Sequence, residues 1–359
     1  MKILVTGGAG FIGSHIVDML TDNNHEVAII DNLSSGFEYN VNKAAKLIRS
    51  DINDFNGIEK IFSEEKPDIV YHLAAQIDVR KSVADPIFDA RTNIMATLNL
   101  IKISNDFKVK KFIFSSTGGA IYGDTDDRPT KETHAEWPLS PYGIAKLTTD
   151  KFLNFYHEVF GLKYISLRYG NVYGPRQNPH GEAGVVAIFL NKMLKNEQPV
   201  INGDGEQTRD YVYVKDVAEA NILALKYIDK VGIYNVGTSI EISVNNLFEE
   251  INKNFNKSFK QIHGPAKLGE QKTSCLDFGK IEKDLGFKPK INFEEGIKMT
   301  YEWFKEKNVD KLLKILLLLK FLNIAGFLGI FLACWRSSMA EQLICNQQVA
   351  GSIPIASSI

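Results

Sequence analysis

Short apolar, β-branched runs alternate along the front of the chain with stretches whose apolar residues recur every three or four positions. Residues 2–5 (Lys-Ile-Leu-Val), 26–30, 69–73, 111–115 and 164–169 have the length and composition of buried strands. Residues 14–20, 89–107 and 142–160 follow the helical period, and the last stretch is apolar on more than one face (Phe152, Leu153, Phe155, Tyr156, Phe160). Strands and helices in this alternation predict an α/β fold built on a doubly wound parallel sheet. Ligand groups in such sheets gather at the carboxyl ends of the strands. His72-Leu-Ala-Ala-Gln76, Ser115-Ser-Thr117 and Arg168-Tyr-Gly-Asn171 each follow a strand run, so they are expected in one crevice. Beyond Pro175 the pattern loosens into pieces punctuated by Gly and Pro, which reads as a smaller domain covering the substrate. The expected division is 1–177 with 209–240 for the sheet, and 178–208 with 241–309 for the smaller domain.

The last fifty or so residues depart from this plan. Residues 312–334 are rich in Leu, Ile and Phe, interrupted by Lys314 and Lys320, and 335–359 have no period. About twenty apolar residues suffice to cross a bilayer, but Lys320 inside such a span would cost roughly 2.5–3.5 kcal/mol. Ser337-Ser-Met-Ala-Glu-Gln342 and Gly351-Ser-Ile-Pro354 resemble the peptides read from the D-arm and T-arm of a transfer-RNA gene. The tail is therefore expected to be read-through sequence outside the enzyme, with a membrane anchor as the alternative.

Composition narrows the partners. The 42 basic and 43 acidic residues balance, which offers nucleic acid no electrostatic footprint. Cys275, Cys334 and Cys345 have neither metal-ligand spacing nor a disulfide framework, so no metal is expected and a reducing cytoplasm is. Residues 2–5 already read as the first strand, so no signal peptide is expected.

The first candidate chemistry is Thr6-Gly-Gly-Ala-Gly-Phe-Ile-Gly13, which sits between the first strand and first helix. Gly8-x-Gly10-x-x-Gly13 permits a tight turn, close backbone approach to a pyrophosphate and close helix packing. The helix N-terminus offers unpaired N–H groups to the phosphates. Asp31 closes the second strand, where a carboxylate accepts from the adenosine ribose hydroxyls, and its charge disfavours a 2′-phosphate. NAD is the expected cofactor. The second candidate is Tyr142-Gly-Ile-Ala-Lys146, whose i, i+4 spacing puts both side chains on one helix face. A tyrosine with its ordinary pKa near 10 is a poor base; a neighbouring ammonium is expected to lower it.

Taken with Asp31-Asn-Leu-Ser-Ser-Gly36, Ser50-Asp-Ile52, Ser115-Ser-Thr-Gly-Gly-Ala-Ile-Tyr-Gly123, Arg168-Tyr-Gly-Asn-Val-Tyr-Gly-Pro-Arg176, Gly203-Asp-Gly-Glu-Gln-Thr-Arg-Asp-Tyr-Val212 and Tyr234-Asn-Val-Gly237, these motifs give a clear resemblance. The chain resembles the extended short-chain dehydrogenases/reductases, most closely the UDP-glucose 4-epimerases and their sugar-nucleotide relatives, from Met1 to about Lys307. The resemblance implies a Rossmann domain in which Gly7, Gly10, Phe11, Ile12 and Gly13 hold the NAD pyrophosphate. It places Asp31, Asn32, Ser35 and Gly36 at the adenosine ribose, Asp51 and Ile52 at the adenine, and Leu73, Ala74, Ala75, Asn93 and Ser115 along the cofactor. Lys146 bridges the nicotinamide ribose and Tyr142. Ser116, Thr117, Asn171, Val185, Arg209, Lys267, Glu270 and Ser274 fall on the nucleotide-sugar side.

Three positions depart from the family pattern. The catalytic hydroxyl counts back from Tyr122 to Gly118 but forward from the strand to Thr117, so Thr117 is expected to serve, with Ser116 as its alternative. Lys267 stands where a pyrophosphate-binding Arg is usual, which keeps the charge and loses the bidentate fork. Ser274 stands where a bulky aromatic excludes N-acetylated sugars, so UDP-N-acetylglucosamine is an expected substrate beside UDP-glucose and UDP-galactose.

The implied reaction is 4-epimerisation: Tyr142 takes the C4 hydroxyl proton, Thr117 hydrogen-bonds that oxygen, and hydride leaves C4 and returns to the opposite face of a 4-keto sugar. A 4,6-dehydratase needs an acid pair after the Thr, where this chain has Gly118-Gly119. Epimerisation or decarboxylation of a UDP-glucuronate, and an inactive dinucleotide-binding scaffold, stay open. The family further implies a homodimer through the helices over 89–107 and 142–160.

Overall fold

Seven strands pair in parallel: β1 (Lys2–Thr6), β2 (Glu26–Asp31), β3 (Lys46–Arg49), β4 (Ile69–His72), β5 (Lys111–Thr117), β6 (Tyr164–Tyr169) and β7 (Gly232–Val236). Their order across the sheet is β7-β6-β5-β4-β1-β2-β3. This is the expected doubly wound, Rossmann-type sheet, and the order reverses beside β1, where such folds open a crevice. The computed structural model describes residues 1–180, 184–266 and 271–321. Met1–Trp303 form one unit and the chain from Phe304 a second.

Side-chain alternation along the strands sorts the core into two layers. Ile3 and Val5 of β1 pack with Ile16, Val17 and Leu20 of helix α1 (Phe11–Asp22). Leu4, between them, faces the other way, toward Ile58 and Phe62 of α2 (Phe55–Glu65). Asp54 caps α2 by accepting from the Gly57 N–H at 3.0 Å. The strand β3 escapes an apolar-run search because it is an edge strand that buries none of its residues fully.

The helical stretch expected over 89–107 begins earlier. Asp78 caps α3 (Val79–Ala84), Asp85 caps α4 (Pro86–Ala90) with Pro86 in its first turn, and a π-helical turn at Arg91–Met95 leads into α5 (Ala96–Asp106). Both caps are Asp side chains accepting from N–H groups two or three residues on, signals that mark the starts well. Helix α6 (Pro141–Phe160) is set at one end by Ser140, which accepts from the Gly143 N–H, and at the other by Gly161 in the left-handed conformation.

After β6 the chain enters α7 (Val185–Leu194), α8 (Val214–Lys226), α9 (Val244–Asn252), α10 (Gly279–Leu285) and α11 (Phe293–Phe321). Three two-stranded ladders lie among them: Asn171–Tyr173 beside Tyr211–Tyr213, Thr208–Arg209 against Ile242–Ser243, and Ile201–Asn202 beside His263–Gly264. Among the described residues no helix is long and apolar enough to cross a membrane. The expected tail from 322 onward lies outside the described residues.

Candidate active site

The glycine turn after β1 has the shape that its sequence asks for. Gly7 takes φ +73°, and a Cβ there would lie 2.7 Å from the Ala74 backbone nitrogen. A Cβ on Gly13 would lie 2.2 Å from the Gly7 carbonyl oxygen, so only glycine lets α1 start this close to the turn. No side chain caps the Gly10 end of α1, which leaves the N–H groups of Phe11 and Ile12 pointing out of the helix end. An uncapped helix start over a glycine turn fits a pyrophosphate.

Asp31 works in two directions. Its carboxylate accepts from the Ala9 N–H of the glycine turn at 3.0 Å and from the Leu33 N–H at 2.8 Å, leaving further lone pairs for a ribose. The loop beyond it folds back onto the turn: the Phe37 N–H donates to the Ala9 carbonyl at 3.0 Å, and buried Gly36 lies against Ala9. Asn32 donates to Asp51 at 2.8 Å, while Ser35 is exposed beside them. Burial opposes ionisation of Asp51, but donors from Asn53 and Asn32 outweigh it and hold the carboxyl below its usual range. Ile52, next to it, is buried.

The floor of the crevice is the chain after β4. His72 is buried between the hydroxyls of Thr6 (2.7 Å) and Thr97 (2.8 Å), and burial, with help from Lys146, drives its pKa down to about 3. It is a neutral bridge. The Thr6 hydroxyl also accepts from the Ala74 N–H at 3.2 Å, so β1 fixes Leu73, Ala74 and Ala75 at the crevice edge. Asn93 grips the next residue at both backbone atoms, accepting from the Gln76 N–H at 2.9 Å and donating to its carbonyl at 2.8 Å.

Helix α6 carries Tyr142 and Lys146 on one face. Gly143 lets it approach: a Cβ there would lie 2.3 Å from the Ala120 carbonyl oxygen. The Lys146 ammonium donates to the Ser115 carbonyl at 2.7 Å and lies 5.9 Å from the centre of the Tyr142 ring. Burial lowers its pKa to about 8 against the raising pull of Asp150 and Asp89. The expected depression of Tyr142 is absent from the protein's own groups. Burial first, and then Asp89, push the phenol well above 10. The lysine donates to the end of β5 instead, and a positive charge brought beside the phenol would lower its pKa.

The three hydroxyl residues at the end of β5 separate cleanly. Ser115 turns its hydroxyl to Tyr169 at 3.0 Å, so its carbonyl, holding Lys146, is what it offers the site. Ser116 faces the opposite layer, where its hydroxyl points at Asp150 (3.5 Å) beside the buried Arg168, which donates to that same carboxylate at 2.9 Å and 2.8 Å. Strand alternation thus puts Ser116 on the α6 side of the sheet, the side of the helix that carries Tyr142 and Lys146. Thr117 is half-buried and closes the strand.

On the far side, buried Asp210 ties three segments together. It accepts from the N–H groups of Thr238 (2.8 Å), Ser239 (3.3 Å) and Leu276 (3.2 Å), while its own carbonyl accepts from Asn171 N–H at 2.7 Å. Ser274 donates its N–H to the Thr208 carbonyl at 3.2 Å, and its hydroxyl, like the Asn171 side-chain oxygen, lies 3.7 Å from where a Cβ on Gly119 would stand. Asp210 was not among the expected site residues; an acid following the Arg209 strand and buried entirely is its only signal. Arg209 donates to the carbonyls of Thr208 and Gln271, at 2.8 and 2.7 Å, and Val185 opens α7. Lys267 and Glu270 lie outside the described residues.

A sequence model described as the NAD dependent epimerase/dehydratase family matches residues 3–237. The chain belongs to that family.

Solved structures of other proteins agree. A UDP-glucose 4-epimerase of Thermotoga maritima, solved with UDP-glucose, is 49% identical with a TM-score of 0.82, covering 86% of this chain and 99% of its own. A Thermus thermophilus UDP-glucose 4-epimerase solved with NAD is 43% identical, TM-score 0.81, over 85% and 99%. A UDP-N-acetylglucosamine 4-epimerase of Methanobrevibacter ruminantium, in complex with UDP-N-acetylmuramic acid, is 40% identical, TM-score 0.81, over 85% and 98%. The family is NAD dependent, and the glycine cradle and Asp31 are the parts of this chain that fit that cofactor. A Cβ on Gly118 would stand 2.4 Å from the Leu276 side chain, so the glycine packs closely against Leu276.

Proposed function

We propose that the chain is an isomerase, an NAD-dependent 4-epimerase of UDP-sugars that interconverts UDP-glucose and UDP-galactose and admits their 2-acetamido counterparts. One observation carries this reading: Tyr142 and Lys146 lie on one face of α6, and the Lys146 ammonium ties that helix to the Ser115 carbonyl at the end of β5, where glycines rather than acids follow Thr117. NAD held by the glycine cradle and Asp31 would supply the hydride acceptor and donor for C4. Tyr142 takes the proton of the C4 hydroxyl and gives it back. Thr117 hydrogen-bonds the same oxygen through the keto stage, and Lys146, pinned to Ser115, keeps a positive charge below the pair. Proton transfer of this kind contributes about 10²- to 10⁴-fold.

On the substrate side, the segments 178–208 and 241–309 hold the nucleotide. Arg209 and Lys267 take the pyrophosphate, and Val185 and Asn171 line the sugar nucleotide, with Glu270 nearby. A serine at 274 leaves volume where an aromatic ring would fill it, which supports the acetamido substrates, as does the Methanobrevibacter relative. We read the tail after 309 as outside the enzyme.

The working form is a homodimer in the cytoplasm. Ile144, Phe155 and Val159 share one exposed face of α6, and Ile87 and Met95 are exposed on the neighbouring helical run. An apolar surface of that kind calls for a partner, and a second copy presents the same face. The described cysteine, Cys275, is a buried free thiol, which fits a reducing compartment.

The reading is tested by incubating the purified protein with UDP-glucose, UDP-N-acetylglucosamine and UDP-glucuronate separately, without added NAD. Appearance of the 4-epimers of the first two supports it; release of carbon dioxide from the third, or no conversion of any, contradicts it.

A further inference from the structure

Gly119 is the residue beyond β5 whose lack of a side chain the packing does not explain. Its neighbours are accounted for. The Gly118 N–H donates to the Tyr169 carbonyl at 2.9 Å, which carries the β5–β6 pairing one residue past the strand, and Gly118 lies against Leu276. On the other side the Ala120 carbonyl lies over Gly143 at the start of α6. Gly119, half-buried between them, has no left-handed φ and no clash to avoid. Within 4 Å a Cβ there would meet two atoms, the Asn171 side-chain oxygen and the Ser274 hydroxyl, each at 3.7 Å. That is ordinary contact distance, so the fold itself tolerates a side chain at this point.

The two groups facing that point are polar, and both are held by their backbones. The Asn171 N–H donates to the Asp210 carbonyl at 2.7 Å and the Ser274 N–H to the Thr208 carbonyl at 3.2 Å. Neither side chain has a hydrogen-bond partner among the described residues. Ser274 is only 5% exposed, and a hydroxyl so nearly buried is costly to leave without a partner. The residues after it are locked as well: the Cys275 carbonyl accepts from the Thr130 N–H at 2.9 Å, and the Leu276 N–H donates to Asp210 at 3.2 Å. The gap therefore has a set width, with an amide on one wall, a hydroxyl on the other and bare backbone between them.

We propose that Gly119 is a specificity-determining residue: by lacking a side chain it keeps the gap between Asn171 and Ser274 open for the 2-acetamido group of a UDP-sugar. This rests on the reading of the chain as a UDP-sugar 4-epimerase. An acetamido group brings one N–H and one carbonyl, which match an amide oxygen and a hydroxyl on facing walls. Its methyl fits against a glycine backbone. A 2-hydroxyl has no methyl to place there and leaves the space unused.

Gly119→Ala puts one methyl into the gap at a distance the walls accept, so its melting temperature is expected to stay near that of wild type. The reading is kcat/KM for UDP-N-acetylglucosamine divided by kcat/KM for UDP-glucose, measured on the holoprotein as purified. The ratio is expected to fall at least about tenfold, the scale of one misplaced methyl group. Where Gly119→Ala does not fold, Gly119→Ser takes its place with the same expectation. A ratio that is unchanged or rises overturns the proposal. A wild-type protein that epimerises neither sugar overturns the functional reading instead, and the same ratio is then taken from the dissociation constants of the two UDP-sugars by calorimetry. A wild type that binds neither overturns both.

Discussion

The Nζ of Lys146 donates to the carbonyl oxygen of Ser115 across 2.7 Å, so a buried ammonium from α6 is tied to the end of β5 rather than to its helix neighbour Tyr142. That contact joins the helix carrying the base to the strand carrying Thr117. On the proposed mechanism, geometry at the reacting carbon depends on a lysine that need never touch the transferred proton.

Replacing Tyr142 with Phe should remove the base and leave the cradle intact. We expect kcat to fall about 10²- to 10⁴-fold with NAD retained through purification. Lys146→Met should lose both, because its ammonium also fixes β5; NAD content measured after denaturation separates the two.

Thr117→Val and Ser116→Ala discriminate the two strand-end hydroxyls. The first should lower kcat by about 10²-fold or more with little change in melting temperature. The second should leave kcat near wild type and cost about 1 kcal/mol of stability, since Ser116 faces Asp150 and the Arg168 layer. Steady-state kinetics and chemical denaturation check both.

Lys146 gives the pH dependence a sign. Its folded pKa, lowered by burial to about 8, lies below the unfolded value near 10.4. Activity that needs the ammonium should fall as pH rises through about 8. Between there and 10.4 the unfolded chain binds the extra proton, so this group makes the fold more stable with rising pH while activity drops. Buried Lys111, lowered by burial to about 7 and bonded to the Tyr227 carbonyl far from the catalytic pair, acts on stability in the same sense. Lys111→Met should flatten the stability profile and leave the activity profile alone.

Ser274→Tyr should restore an aromatic gate. The ratio of kcat/KM for UDP-N-acetylglucosamine over UDP-glucose is expected to fall at least about tenfold, the scale of one steric misfit of roughly 1–3 kcal/mol. An unchanged ratio would mean that Ser274 does not face the acetamido group.

Charge on the exposed face of α6 tests the dimer. Phe155→Glu with Val159→Glu should convert a dimer to a monomer by light scattering, because both side chains are exposed in the isolated chain and apolar.

Much of this was written in local pattern. The glycine turn, Asp31 and the Tyr142–Lys146 spacing each depend on a few adjacent residues, so they survive reading without a structure. Elements with weak apolar periods, such as the capped helix α3 and the edge strand β3, do not. Ser116 shows a different limit: adjacent hydroxyls look interchangeable in sequence, and only the pleat decides which one faces Asp150. Asp210 was invisible for a related reason. It acts through partners distant in the chain, Thr238 and Leu276. The elevated Tyr142 pKa likewise follows from burial, which spacing does not report.

The central claim is that hydride leaves C4 and returns to the same carbon inside one site. UDP-glucose carrying deuterium at C4, converted in ordinary water by the purified protein, tests it most directly. The account predicts UDP-galactose with the C4 deuterium retained; product that has exchanged that deuterium for solvent hydrogen would contradict it.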